Sequence, residues 1–425
     1  MMFKRIIALF SAFLSVLFAS TPFARNFVDD SEIEHKYIII QDAVSDKSAE
    51  MLINLYGENN PDNEIMYAMG VCGPMLLTDS PEVIAKKTED AFEFAVKYNI
   101  PVWFQIDDVN NQNYAYAGES EITCEKWYEN PLNVEKTGFG DAPLATYWFN
   151  WGTWMTTPAM PCFNSPSYVA FIKSQIENGF LPVLSKWLDR LEKSDKEYLF
   201  AGVSVGWETR MPDFSHVPAD AVDQNGRQIT EEERQMTGYR ALENLGWNEE
   251  KIQAEAKKQH ISTERCRFNL IAEIVHDYSE MIAKEIYDTG VEKTKIFTHY
   301  IIDTNVITTD KKLDYNSSYV STAVNDYSTP GFTNNSNVSF KRLNTLKSKI
   351  TKADLTQQHY GIVEGYAMGL NESVKKTRKY FNRLFNSGAI VVAVYGIHET
   401  DPDSVYYVPK TADAPFSQAI YQLVH

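Results

Sequence analysis

Two glutamates each close a short apolar run. Glu208 ends Ala201-Gly-Val-Ser-Val-Gly-Trp-Glu208, and Glu364 ends Tyr360-Gly-Ile-Val-Glu364. β-Branched, glycine-bearing runs of this length read as buried parallel strands, each followed here by a loop. Barrels and open α/β sheets carry their chemistry at the carboxyl ends of such strands. Two carboxylates facing one cleft are the minimum equipment for hydrolysing a glycosidic bond. One must be protonated near neutral pH to donate to the leaving oxygen, and an apolar neighbour such as Trp207 promotes that by desolvation. The other must stay ionised to attack the anomeric carbon, and His299 and Tyr300 are candidate donors to it. The plainer alternatives are an ion pair between Glu208 and Arg210, and a solvated loop edge at Glu364.

Further polar and aromatic residues cluster around these positions. Asp107 and Asp108 end the run Ile100–Ile106; neighbours on a strand point opposite ways, so at most one faces the cleft. Capping and turn formation is the other role open to them. Trp148, Trp151 and Trp154 sit in a segment with no core-strand pattern; flat amphipathic rings suit the C–H face of a pyranose, or plug the barrel mouth. Asn325, Tyr366 and Tyr395 complete the candidate binding set with Trp207. No His-Glu-x-x-His or His/Cys cluster points to zinc, and neither a metal nor a cofactor is expected. Gly202-Val-Ser-Val-Gly206 matches the esterase elbow in letters, but Ser204 lies inside the strand rather than on the turn such a nucleophile needs.

Apolar β-rich runs alternate with helical patterns along the chain. Strands are predicted at Tyr37–Ile40, Glu64–Gly70, Ile100–Ile106, Tyr198–Trp207, Lys295–Ile301, Tyr319–Asn325, Tyr360–Glu364 and Ala389–Tyr395. Helices are predicted near 47–56, 81–98, 166–191, 263–287, 339–350, 372–385 and 416–424. Eight such alternations predict an α/β fold, a single (β/α)8 TIM barrel with long loops after strands three and four. A doubly wound open sheet is the competing architecture, but its Gly-x-Gly-x-x-Gly fingerprint is absent after the first strand.

With Glu208 after strand four and Glu364 after strand seven, the chain resembles the clan of (β/α)8-barrel retaining glycoside hydrolases, which includes cellulases, mannanases and β-galactosidases. The resemblance rests on strand order and these two positions. It implies that Glu208 is the acid/base and Glu364 the nucleophile. The clan usually carries Asn before the acid/base to hold the sugar 2-hydroxyl; Trp207 stands there, and Asn325 or Asp107 is the expected substitute.

The 425 residues carry a formal net charge of −17, which disfavours a nucleic-acid partner or an anionic membrane surface. A neutral oligo- or polysaccharide would not be repelled. Met1–Arg5 is basic, Ile6–Phe18 apolar, and Ala19 and Ser20 small, the pattern of a secretory signal peptide. The expected organisation is therefore a signal over 1–24 and a catalytic barrel over 25–425, secreted or periplasmic, without stable membrane insertion. Cys124 and Cys162 are either partners across one long loop or separate reduced thiols, like Cys72 and Cys266. The functional reading is an exported glycoside hydrolase with two glutamates working by retention. A non-catalytic carbohydrate-binding barrel is the second reading and an esterase-type hydrolase the third.

Overall fold

Eleven strands are present in a computed structural model that describes residues 33–425, except 109–118, 145, 151–153, 216, 224, 302–317, 335–339, 366–369 and 396–406. Nine of them form one parallel sheet: β1 (Lys36–Gln41), β2 (Ile65–Met75), β3 (Val102–Asp107), β6 (Phe200–Val205), β7 (Ile296–Thr298), β8 (Tyr300–Ile301), β9 (Gly331–Asn334), β10 (Tyr360–Gly365) and β11 (Ala389–Val394). Their order is β7-β6-β3-β2-β1-β11-β10-β9-β8, so the two ends of the sheet are consecutive in sequence. Only His299 separates β7 from β8. β7 pairs with β6 on one side and β8 with β9 on the other, and a bridge from Phe297 to Thr329 spans the seam. Counting β7 and β8 as one interrupted strand, the sheet is an eight-stranded (β/α)8 barrel. The remaining strands, β4 (Thr146–Asn150) and β5 (Trp154–Pro158), pair as an antiparallel hairpin in the long connection after β3.

Helices α1 (Asp46–Tyr56), α2 (Pro81–Tyr98), α3 (Pro166–Gln175), α4 (Leu181–Glu192), α5 (Tyr239–Asn244), α6 (Glu249–Gln259), α7 (Thr263–Tyr287), α8 (Phe340–Ala353), α9 (Val374–Asn386) and α10 (Pro415–Val424) surround the barrel or fill its long connections. Their starts follow local chemistry. Ser45, Ser80, Asn248, Ser262 and Ser373 each accept the backbone N–H three residues on, satisfying a first-turn donor. Strand alternation then divides the apolar residues. Ile38, Ile40, Tyr67, Met69, Phe104, Val203 and Val205 face the helices, where Phe92 of α2 packs against Phe104 and Phe200 and stacks on Trp187 of α4. Inside the barrel, Trp103 and Phe297 meet with ring centroids 5.0 Å apart. Gly202 leaves room for them, since a Cβ there would meet the Trp103 ring and the Lys295 carbonyl. This apolar plug supports a polar layer above it.

One expectation changes, and one open alternative closes. The sixth strand is Gly331–Asn334; Val320–Ala323, within the run read as strand, is a turn of 3-10 helix. The β-branched residues Val320, Thr322 and Val324 mimic a strand pattern, while the true strand is only four residues long. All four cysteines are free: Cys124 donates to the Leu77 carbonyl, and Cys162 is buried beside Asn164. Glu34–His425 form one compact unit. The predicted signal lies outside the described residues.

Candidate active site

The strand-four turn is built to present Glu208. After β6, Gly206 takes φ +84° and Glu208 itself φ +57°, a left-handed conformation that is costly for a non-glycine residue. Asp108, at the end of β3, holds this turn in place: its carboxylate accepts the Trp207 backbone N–H at 3.2 Å and the Thr209 hydroxyl at 3.1 Å. The Asp108 carbonyl in turn accepts from Tyr168 of α3. Burial, then the neighbouring Asp107 charge, pushes the Asp108 carboxyl up to about 7. The strained turn is therefore clamped from the adjacent strand.

Glu364 reaches the same mouth through a bulge. The β9–β10 register slips between Ile362 and Glu364, so that Glu364 pairs with Thr333. A bulge re-aims a side chain that regular alternation would send to the other face. Its Oε2 accepts the indole N–H of Trp207 at 3.1 Å and lies 3.6 Å from His299 Nε2. Carboxylate oxygens of Glu208 and Glu364 and a ring nitrogen of His299 lie within 4.8 Å of one another. Both carboxylates are buried.

A directed chain of hydrogen bonds ties these groups together. The Gln41 amide donates to Gln105 Oε1, and Gln105 Nε2 donates to His299 Nδ1 at 3.2 Å. That leaves the imidazole proton on Nε2, which donates to Thr333 Oγ1 at 2.8 Å. The Thr333 hydroxyl donates to Glu208 Oε1 at 2.8 Å, while Arg210 Nη1 donates to Glu208 Oε2 at 3.2 Å. Burial and the Arg210 charge push His299 down to about 3, so the ring is a neutral spacer. Burial, followed by the charge of Glu208, holds Glu364 well above the ordinary carboxylate range. The two carboxyl groups thus sit in unequal surroundings: Glu208 is paired with a guanidinium, and Glu364 is held toward its protonated form.

Glu208, His299 and Glu364 have ligand-type atoms, and the carboxylates also accept from the guanidinium of Arg210 and the indole N–H of Trp207. We do not assign them as metal ligands. A looser group, His276, Asp277 and Glu280, lies on α7, where His276 Nδ1 contacts the Thr322 carbonyl.

The candidates sort by strand parity. Trp207, His299, Glu208 and Glu364 converge. Asp107 lies two residues past Gln105, on the barrel-facing side of β3, and its charge is felt by Cys72 in the same mouth. Tyr395 follows β11 at the same end of the barrel and is half-buried. Three candidates leave the site. Asp108 serves the turn. Tyr300 points outward to α7, donating to Ser279 Oγ at 2.8 Å. Asn325 precedes β9 at the opposite end of the barrel and caps its own turn, accepting the backbone N–H groups of Tyr327 and Ser328. The side chains of Trp148 and Trp154, and all of Trp151 and Tyr366, lie outside the described residues. Arg210 enters as the pairing partner of Glu208. Sequence reasoning missed Gln41, Gln105 and Thr333; the first two carry a signal, being uncharged amides at or near the ends of apolar strands.

Comparison with known proteins bears on the fold. No family model matches the chain, and no curated protein sequence matches it. In structure it is similar to the catalytic domain of β-amylase from Paenibacillus polymyxa, with a TM-score of 0.53 and 8% identity over 92% of this chain and 99% of that one. The fold is a (β/α)8 barrel shared with a glycoside hydrolase. The endo-β-1,4-mannanase from Thermotoga petrophila also aligns, with a TM-score of 0.39 and 8% identity over 92% of this chain and 76% of that one. Both glutamates lie at the carboxyl ends of barrel strands, the end at which (β/α)8 barrels in general carry their sites.

Proposed function

We propose that this barrel hydrolyses glycosidic bonds with retention of anomeric configuration, using Glu208 and Glu364 as its two carboxyl groups. The observation that carries the reading is the close approach of the pair at the barrel mouth, with one carboxylate oxygen of each within 4.8 Å of the other. Retaining enzymes hold their carboxyl groups about 5–5.5 Å apart, whereas inversion needs about 6.5–9.5 Å to admit a water. The unequal environments of the pair supply the other requirement, one acid and one anion. The substrate is an oligo- or polysaccharide, with Asp107, Trp207 and Tyr395 at the mouth; Tyr366 is a further proposed sugar contact, and Trp148, Trp151 and Trp154 are the proposed stacking platforms. The N-terminal pattern supports export, and no described helix is long and apolar enough to cross a membrane. Amino-terminal sequencing of the secreted chain tests export; a mature start near Ser20–Arg25 is expected, and a start at Met1 contradicts it.

A panel of aryl glycosides and soluble polysaccharides, run with the native protein, Glu208→Gln and Glu364→Gln, tests the catalytic reading. Hydrolysis that falls at least about 100-fold in both variants is expected, since each removes a group that acts in the transition state. One observation favours a second reading, a non-catalytic glycan-binding barrel: both Glu208 oxygens already have partners, Arg210 and Thr333. Glycan binding without hydrolysis of any panel member would establish that reading instead.

A further inference from the structure

The buried chain from Gln105 through His299 to Thr333 is more elaborate than a barrel interior needs for packing. Each link has a direction. Gln105 Nε2 donates to His299 Nδ1, His299 Nε2 to Thr333 Oγ1, and Thr333 Oγ1 to Glu208 Oε1. Arg210 supplies the remaining donor, to Glu208 Oε2. Both oxygens of Glu208 therefore accept hydrogen bonds, which only the ionised form does fully. Among the described residues, the hydrogen-bond donors to Glu364 are neutral, Trp207 Nε1 at 3.1 Å and the Gln105 amide, and Glu364 faces the charge of Glu208, with Arg210 acting on it only through space.

We infer that Gln105, His299 and Thr333 are positioning residues that, with Arg210, fix Glu208 as the charged member of the pair and Glu364 as the proton carrier. This inference rests on the retaining hydrolase reading and reverses the roles implied by strand order. In the first step, a Glu208 oxygen forms a bond to the anomeric carbon. The carbon's bond to the leaving oxygen breaks, and that oxygen takes the proton of Glu364. In the second, the Glu364 carboxylate takes a proton from water, whose oxygen bonds to the anomeric carbon as the bond to Glu208 breaks. The protein returns to its starting charge state.

The groups around Glu364 agree on this distribution. Glu208 and Arg210 face it from the strand-four turn, His299 from the β7–β8 break, and Gln105 from β3. From β2 the Cys72 thiol, and from β3 Asp107, add no positive charge. Arg210 is the one cation among these groups, and it binds Glu208.

The full chain labelled with carbon-13 at glutamate carboxyls, free of glycan, reads the charges directly, with Glu208→Gln and Glu364→Gln assigning the two signals. At pH 6 the Glu364 signal is expected at the carboxylic-acid position and the Glu208 signal at the carboxylate position. The opposite placement, or two carboxylates, overturns the inference. Nitrogen-15 spectra of His299 are expected to show a neutral ring protonated on Nε2; a proton on Nδ1 or a charged ring overturns the relay. Thr333→Val removes the hydroxyl donor to Glu208, so part of the proton moves there and the Glu364 titration falls by about one pH unit. Thr333→Ser keeps the donor and leaves the titration in place. An unmoved titration in folded Thr333→Val denies Thr333 its role. None of these readings uses turnover, so a barrel that binds glycans without hydrolysing them leaves the charge assignment standing or falling on its own.

Discussion

The indole N–H of Trp207 donates to Glu364 Oε2 at 3.1 Å, so the residue beside one glutamate is bonded to the other. Trp207 belongs to the strand-four turn and Glu364 to strand seven. The bond crosses the barrel mouth and couples the placement of the two carboxyl groups. The sequence suggests that Trp207 desolvates its neighbour Glu208. In the structure its polar edge serves Glu364 instead.

Trp207→Phe keeps an aromatic ring at this position and removes the N–H. That donor favours the charged form of Glu364, so its loss raises Glu364 further. If Glu364 acts as the acid, the alkaline limb of the pH–rate profile moves to higher pH by about one unit. Stability falls by only about 1 kcal/mol, as expected for one neutral hydrogen bond. A pH profile and a urea titration of the same variant check both. A limb that moves to lower pH contradicts the expected direction.

Asp108 gives the barrel a measurable pH dependence. Its carboxyl stands at about 7 in the folded protein, against the ordinary value of 3.8 in the unfolded chain. The folded state therefore binds the proton more tightly, and this group's contribution is most favourable below pH 4. It declines as pH rises from about 4 to 7. The whole change is on the order of 4 kcal/mol. Asp108→Asn removes that decline, so urea titrations at pH 5 and pH 8 should show a smaller difference for the variant than for the native protein. Equal differences would mean that Asp108 does not titrate in this window.

Gly206 is required for the turn that carries Glu208. Its φ is +84°, and an added Cβ would run into Thr209 Oγ1, the hydroxyl bonded to Asp108. Gly206→Ala should cost about 1–3 kcal/mol through backbone strain and the displaced clamp. It should also lower hydrolysis more than glycan affinity, because Glu208 moves while the binding loops do not. Unchanged stability and turnover would show that the turn tolerates a side chain.

The positions of Glu208 and Glu364 are legible in the sequence because a charge ending an apolar run marks the end of a buried strand. Seven of the eight barrel strands are legible for the same reason. The sixth is not: Gly331–Asn334 is too short to show a period, while Val320 and Val324 in a 3-10 turn look like strand residues. With that strand displaced, Asn325 takes a place in the site that belongs to Thr333. Parity is the other hidden quantity. His299 and Tyr300 are adjacent, and the alternation that puts Phe297 inside the barrel sends the histidine inward and the tyrosine outward, a phase the sequence does not reveal. Glu364 needs a bulge to point inward, and a local insertion in register leaves no mark in composition. The relay through Gln105 joins residues far apart in sequence, so it emerges only from the closed barrel.

The most direct test of the account is the configuration of the first sugar released. Once the glycoside panel identifies a substrate, proton NMR during the first minutes of hydrolysis distinguishes the two anomers before mutarotation mixes them. Carboxylate oxygens within 4.8 Å predict that the product first appears with the anomeric configuration of the substrate. Initial release of the opposite anomer would contradict it, placing a water between Glu208 and Glu364 where the structure holds them together.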